Sequence, residues 1–129
     1  MGIQVVWNND EHTIIRHIYE KHWSLEDYYS LVDENYLQVA SVDHRVDLIN
    51  DLREMTAIPP NMVPAIRYAA RRAHPNEGIN VIVASPDYVK LLLDAINQAV
   101  GDATQVLYVG TLDEAYHLIA QDIAEHGLA

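Results

Sequence analysis

"RVDLINDLREMTAIPPNMVPAI", Arg45 to Ile66, decides how this chain is read. Val46 to Asp51 is a short apolar run that stops at a carboxylate, the pattern of a buried strand reaching its end. Leu52 to Asn61 is an apolar loop with adjacent prolines, Pro59 and Pro60, and Pro64 suits the first turn of a helix. Strand, loop and helix in that order form half of a βαβ unit, whose working loop follows the carboxyl end of the strand. Met55, Ala57, Ile58, Pro59 and Pro60 stand in that loop. Such a loop either contacts a partner or a greasy ligand, or folds Met55 and Ile58 inward as a cap on the core, and the sequence favours neither.

The same pattern extends in both directions. Upstream, "IQVVW" and "HTIIRHIYE" flank the turn-forming "NNDE" and read as a hairpin. "SLEDYYSLVDENYLQVA" changes to helical period, with Leu25, Tyr28, Tyr29, Val32, Tyr36, Val39 and Ala40 on one face and Ser24 and Asp27 as a capping box. Downstream, Met62, Ile66, Ala69, Ala70 and Ala73 form the apolar side of the second helix, stopped by Pro75 and Gly78. "INVIVA" is a strand of the doubly buried type. Ser85 and Pro86 open a third helix that ends near Gly101, "TQVLYV" is the last strand, and Thr111 with Glu114 caps the last helix. The order is β-β-α-β-α-β-α-β-α. It predicts one α/β domain over residues 1–129, a mixed and mostly parallel sheet with helices packed on it. Three loops, 51–61, 84–87 and 109–113, are expected at the carboxyl edge.

Composition narrows the function classes. At 129 residues, 50% of them hydrophobic, the chain is a folded globule with no apolar run near the ~20 residues of a membrane span. "MGIQVVWNND" has neither a basic n-region nor an apolar h-region, so a cytoplasmic protein is expected. The absence of cysteine removes disulfides, thiolate nucleophiles and iron–sulfur clusters. A net charge of −11 repels nucleic acid and anionic headgroups. Against that field, Arg53, Arg67, Arg71 and Arg72 cluster within or just after the opening stretch.

The residues that carry chemistry elsewhere point to structure here. Asp47 and Asp51 share a strand face but lie about 13 Å apart, too far to share a proton. Both read as structural: Asp47 as a sheet-face or strand-edge residue, Asp51 as a strand-end residue bonding nearby amides. The histidines are scattered, without HExxH or HxH spacing, and read as surface residues rather than metal ligands. The sequence lacks the terminal lysine of a response-regulator receiver, the glycine pattern of a phosphate loop, and a GxSxG around Ser85. No cofactor is expected.

The element order, with "VDLINDL" as a central strand ending in Asp51-Leu52, resembles the STAS domain superfamily, and within it the small stand-alone SpoIIAA-like proteins. That resemblance implies a non-enzymatic regulatory or interaction domain, typified by antagonists that bind an anti-sigma factor or kinase. In that family a phosphorylatable serine signature follows the strand; here "IPPNMV", Ile58 to Val63, replaces it, and Thr56 is the only hydroxyl of the loop. The expected partner-binding edge is therefore Asp51, Arg53, Met55, Thr56, Ile58, Pro59, Pro60, Arg67 and Arg71. A comparison of such proteins with lipid-binding domains supplies the alternative, a carrier of a small apolar or anionic ligand between the loop and the Arg67/Arg71 helix. Tyr28, Tyr29 and Tyr36, with the apolar loop, further predict a homodimer.

Overall fold

The computed structural model describes residues 2–101 and 106–126. Its elements are β1 (Ile3–Trp7), β2 (Ile14–Tyr19), α1 (Leu25–Ala40), β3 (Val46–Asp51), α2 (Met62–Arg71), β4 (Glu77–Val83), α3 (Pro86–Val100), β5 (Leu107–Val109) and α4 (Leu112–His126). This is the expected order. Thr104 and Gln105, assigned above to the last strand, lie outside the described residues.

The five strands lie in sequence order in one sheet, β1 antiparallel to β2 and the others parallel. Each crossover steps one strand in the same direction, so right-handed connections lay α1, α2 and α3 on one face. α4, with no later strand to reach, covers the other. The two cores reflect this: Ile49, Val81 and Val83 meet Ala115 and Ile119 of α4, while Tyr19, Leu52 and Ala84 meet Leu31 of α1 and Leu92 of α3. Ser24 and Asp27 form the capping box of α1, and Gly101 closes α3 in the left-handed conformation that glycine tolerates best. Ser85 stands at the N-cap of α3 without bonding the helix through its hydroxyl.

α1 buries a face rotated from the expected one. Leu31, Val32, Asn35 and Val39 point at the sheet, and Ala40 is exposed. The tyrosines flank this face, half-buried: Tyr28 packs on Trp23, Tyr29 lies edge-on to Tyr68, and the Arg72 guanidinium sits 4.6 Å above the Tyr36 ring. The tyrosine surface that pointed to a homodimer is thus partly covered within the chain.

One irregularity organises the α4 side. The β3–β4 register slips between Val46 and Leu48, so that two β4 residues, Gly78 and Ile79, oppose Asp47 as a bulge does. A bulge leaves an amide unpaired, and here Asp47 accepts from Ile79 N at 2.8 Å. The same carboxylate accepts from Arg45 Nε and Nη2, and Arg45 reaches on to Asp122 of α4 at 2.7 Å. A Cβ on Gly78 would run into the Asp47 carboxylate, which is why only glycine fits there.

Asp47 is 1% exposed and Asp51 4%, yet their partners differ: Arg45 is largely buried, whereas Arg53 is 48% exposed. Removing Asp47 takes from the largely buried Arg45 its inner carboxylate, leaving Asp122, and unpairs the Ile79 amide. Asp47→Ala is therefore expected to cost about 3 kcal/mol or more, and Asp51→Ala about 1 kcal/mol. Urea midpoints of the two variants compare these directly; equal losses would contradict this account.

Candidate functional site

The loop singled out by the sequence is only partly a surface. Met55 turns inward and is 3% exposed, packed in the core with Leu52 and Leu92, and Ile58 lies half-buried against the same cluster. Of the two readings of the loop, these residues follow the inward cap: the loop gains more by covering the core than by exposing Met55 to water. Thr56, Ala57 and Pro60 are exposed, Pro59 is half-buried, and the Tyr88 hydroxyl anchors the loop by donating to Thr56 O at 2.8 Å.

The arginines do not converge. Arg53 turns back to Asp51, donating to both carboxylate oxygens at 2.8 Å, which holds that carboxyl below its ordinary range although burial alone would raise it. Arg67 donates to Ala99 O and Gln98 O, capping the C-terminal end of α3. Arg71 is exposed on the outer side of α2. The structure thus brings Met55 and Ile58 together, and keeps Asp51 and Arg53 on the α4 side of the sheet, away from Arg67.

The prominent concavity lies elsewhere, over the sheet face beneath α2 and α3. It has a volume of about 500 Å³. α3 rests on α2 rather than on the strands, and facing the gap are Ala69 and Ala70 of α2 and Ala73 just after it. Opposite them on β4 are Gly78 and Asn80. The alanines are too short to close the space between helix and sheet, and at Gly78 the cavity meets bare backbone, since a Cβ there would point to Asp47 on the α4 side. Gly78 and Asn80 are consequently exposed although β4 lies between two strands of a parallel sheet, where full burial is usual. Leu52, Met62, Ile66, Ile82, Leu92 and Ile96 make the remaining wall predominantly apolar.

The end of this cavity toward β2 is polar. A smaller chamber of about 90 Å³ shares Tyr19, Tyr28, Asn50, Ala69, Glu77 and Asn80 with it, and is completed by residues including His17, Asn35 and Arg72. His17 is 4% exposed; its Nδ1 lies 3.1 Å from Asn50 Oδ1 and its Nε2 2.8 Å from Asn35 Oδ1. Asn50 Oδ1 also accepts from the Tyr19 hydroxyl at 3.0 Å, and Asn50 Nδ2 donates to Asn80 Oδ1 at 2.6 Å. A neutral imidazole has one N–H, so it cannot donate to two carboxamide oxygens. With Asn50 Oδ1 accepting from Tyr19 and Asn50 Nδ2 donating to Asn80, the Nδ1–H tautomer donating to Asn50 and the Asn35 amide turned to present its NH₂ to Nε2 give both ring nitrogens a partner.

Sequence reading placed the histidines on the surface, and His17 corrects it. An alternating strand, Ile15-Arg16-His17-Ile18-Tyr19, puts His17 on the same inward face as Ile15 and Tyr19, and that parity was the available signal. Among the described residues no three His, Asp or Glu gather as metal ligands. Neither a family model, nor a curated protein, nor a solved structure matches this chain.

Burial shifts the groups lining the polar end. It lowers the His17 pKa, against the smaller opposing effect of its hydrogen bonds, and raises that of the Glu77 carboxyl. The Tyr28 phenol is pushed up to about 12. For His17 the unfolded chain binds the proton more readily than the fold, so stability falls as pH drops from the ordinary histidine value toward the depressed one. Glu77, with a raised carboxyl, works in the opposite sense beginning at lower pH. Wild type is expected to lose stability between neutral pH and pH ~5.5 relative to His17→Gln. Parallel denaturant midpoints for the two proteins across that range would show that His17 is not a buried neutral base.

Proposed function

We propose that this chain is a non-enzymatic small-molecule binding domain that holds an apolar ligand between the sheet and the α2–α3 layer. The observation that carries the reading is the cavity of about 500 Å³ over an uncovered stretch of β4, within the size range of ligand sites and lined mostly by apolar side chains. Taking ~30 Å³ per heavy atom, it holds on the order of 15 non-hydrogen atoms. At about 0.3 kcal/mol per atom, such a ligand binds with roughly 5 kcal/mol, a Kd in the sub-millimolar range.

Filling the gap tests this reading. Ala70 is exposed on the cavity wall, so Ala70→Phe is expected to change folding stability by less than about 1 kcal/mol while removing a ligand mass that co-purifies with wild type in native mass spectrometry. Retention of the same ligand by the folded variant would count against the site.

A second reading, a STAS-like regulatory domain that binds a protein such as an anti-sigma factor or kinase, is supported by the exposed strip Thr56, Ala57 and Pro60 beyond the end of β3 and by exposed Arg71 on the neighbouring helix. In that case the Ile58→Asp, Arg67→Ser, Arg71→Ser triple variant is expected to lose the partner in a pull-down, with binding weakened by about 1–3 kcal/mol. Full retention of the partner by the folded variant would remove this reading and leave the carrier untouched.

A further inference from the structure

The polar chamber beside the cavity restricts the chemistry of whatever occupies it, given that the cavity is a ligand site. Each of the two spaces has a lining residue with an unmatched buried donor. Arg72 Nε and Trp23 Nε1 are buried without a hydrogen-bond partner among the described residues; Arg72 lines the chamber and Trp23 the larger cavity. Asn80 Oδ1 is engaged by Asn50, which leaves the exposed Asn80 amide NH₂ at the boundary that the two spaces share. Orphaned buried donors cost free energy until an acceptor meets them.

Charge decides which acceptor. Glu77 lines both spaces; one carboxylate oxygen accepts from His74 N, and the residue is not ion-paired to any described residue. A carboxylate, sulfate or phosphate end would face that group as well as a chain of net charge −11. A cationic end would meet the Arg72 guanidinium, already held over Tyr36 and paired with Asp33 at 3.3 Å, and would leave the donors unmatched.

We infer that the bound molecule carries an uncharged carbonyl at its polar end, placed at the Asn80–Arg72 chamber, with its apolar body in the larger cavity. The carbonyl oxygen accepts from the exposed Asn80 NH₂ and adds no charge beside Glu77 or Arg72. The aromatic side chains of Tyr19, Trp23 and Tyr28 at the same end favour a flat body next to the carbonyl.

A series of probes sharing one aromatic body separates this inference from the reading on which it rests: 2-acetylnaphthalene, 2-naphthoate, 2-naphthylmethylammonium and 2-ethylnaphthalene, titrated into the full chain at neutral pH and followed by backbone-amide NMR shifts. The acetyl compound is expected to bind at least about tenfold more tightly than the anion and the cation, and more tightly than the ethyl compound. Asn80→Leu, at an exposed position, is expected to bring the acetyl compound down to the affinity of the ethyl compound without weakening the latter. Tightest binding by the naphthoate or the ammonium overturns the carbonyl assignment, as does an acetyl preference that survives Asn80→Leu. Binding of all four with equal affinity leaves an apolar cavity with no head-group selection and also overturns the assignment. If none shifts an amide, the cavity reading falls and the carbonyl assignment with it.

Discussion

The Asp47 carboxylate is the contact on which the α4 half of the structure depends. Carrying a charge into the interior of an α/β sheet is costly unless it is paired and its remaining lone pairs are filled. Here Arg45 supplies two donors and the bulged amide of Ile79 a third, while Arg45 extends to Asp122. One buried group thereby fixes the β3–β4 bulge, the need for glycine at 78 and the seating of α4. Asp51, four residues on along the same face, plays a lesser role because its partner Arg53 is half in solvent.

The opposite face follows a different logic. Three helices cover it, but the one over β4 meets the strand with alanines, and β4 answers with glycine and asparagine. A close-packed interior would not leave such a space, since voids cost dispersion and transfer energy. The His17, Asn35, Asn50, Asn80 and Tyr19 network is likewise expensive to bury unless every member is matched. The apolar gap ending in a polar network is the observation on which the proposed ligand-binding reading rests.

The loop after β3 illustrates how a local reading leaves open which surface a residue meets. Its residues are apolar and it lies beyond the carboxyl end of a parallel strand, as read from the sequence. Yet Met55 and Ile58 had two ways to leave water, a partner or the chain's own core, and the core lies a few ångströms beneath them. Arg67 and Arg71 share a helical stripe as their spacing requires, but Arg67 is spent on the α3 carbonyls. Spacing shows which residues share a face, not what that face meets.

The sequence by itself determined the elements, their order, the mixed sheet and the helix caps at Ser24 and Thr111. These rest on periods of two and 3.6 residues and on capping chemistry, which are local. The inward position of His17 was legible too, through the parity of β2. Tertiary structure alone decided the face that α1 buries, the inward turn of Met55, the bulge opposite Asp47 and the cavity. Each arises where elements distant in the chain come together. The cavity in particular exists because Ala69, Ala70 and Ala73 are too short to reach β4 around Asn80 across the gap between two layers. In the sequence those alanines mark only an apolar helix face, since an empty volume between two elements has no period in either.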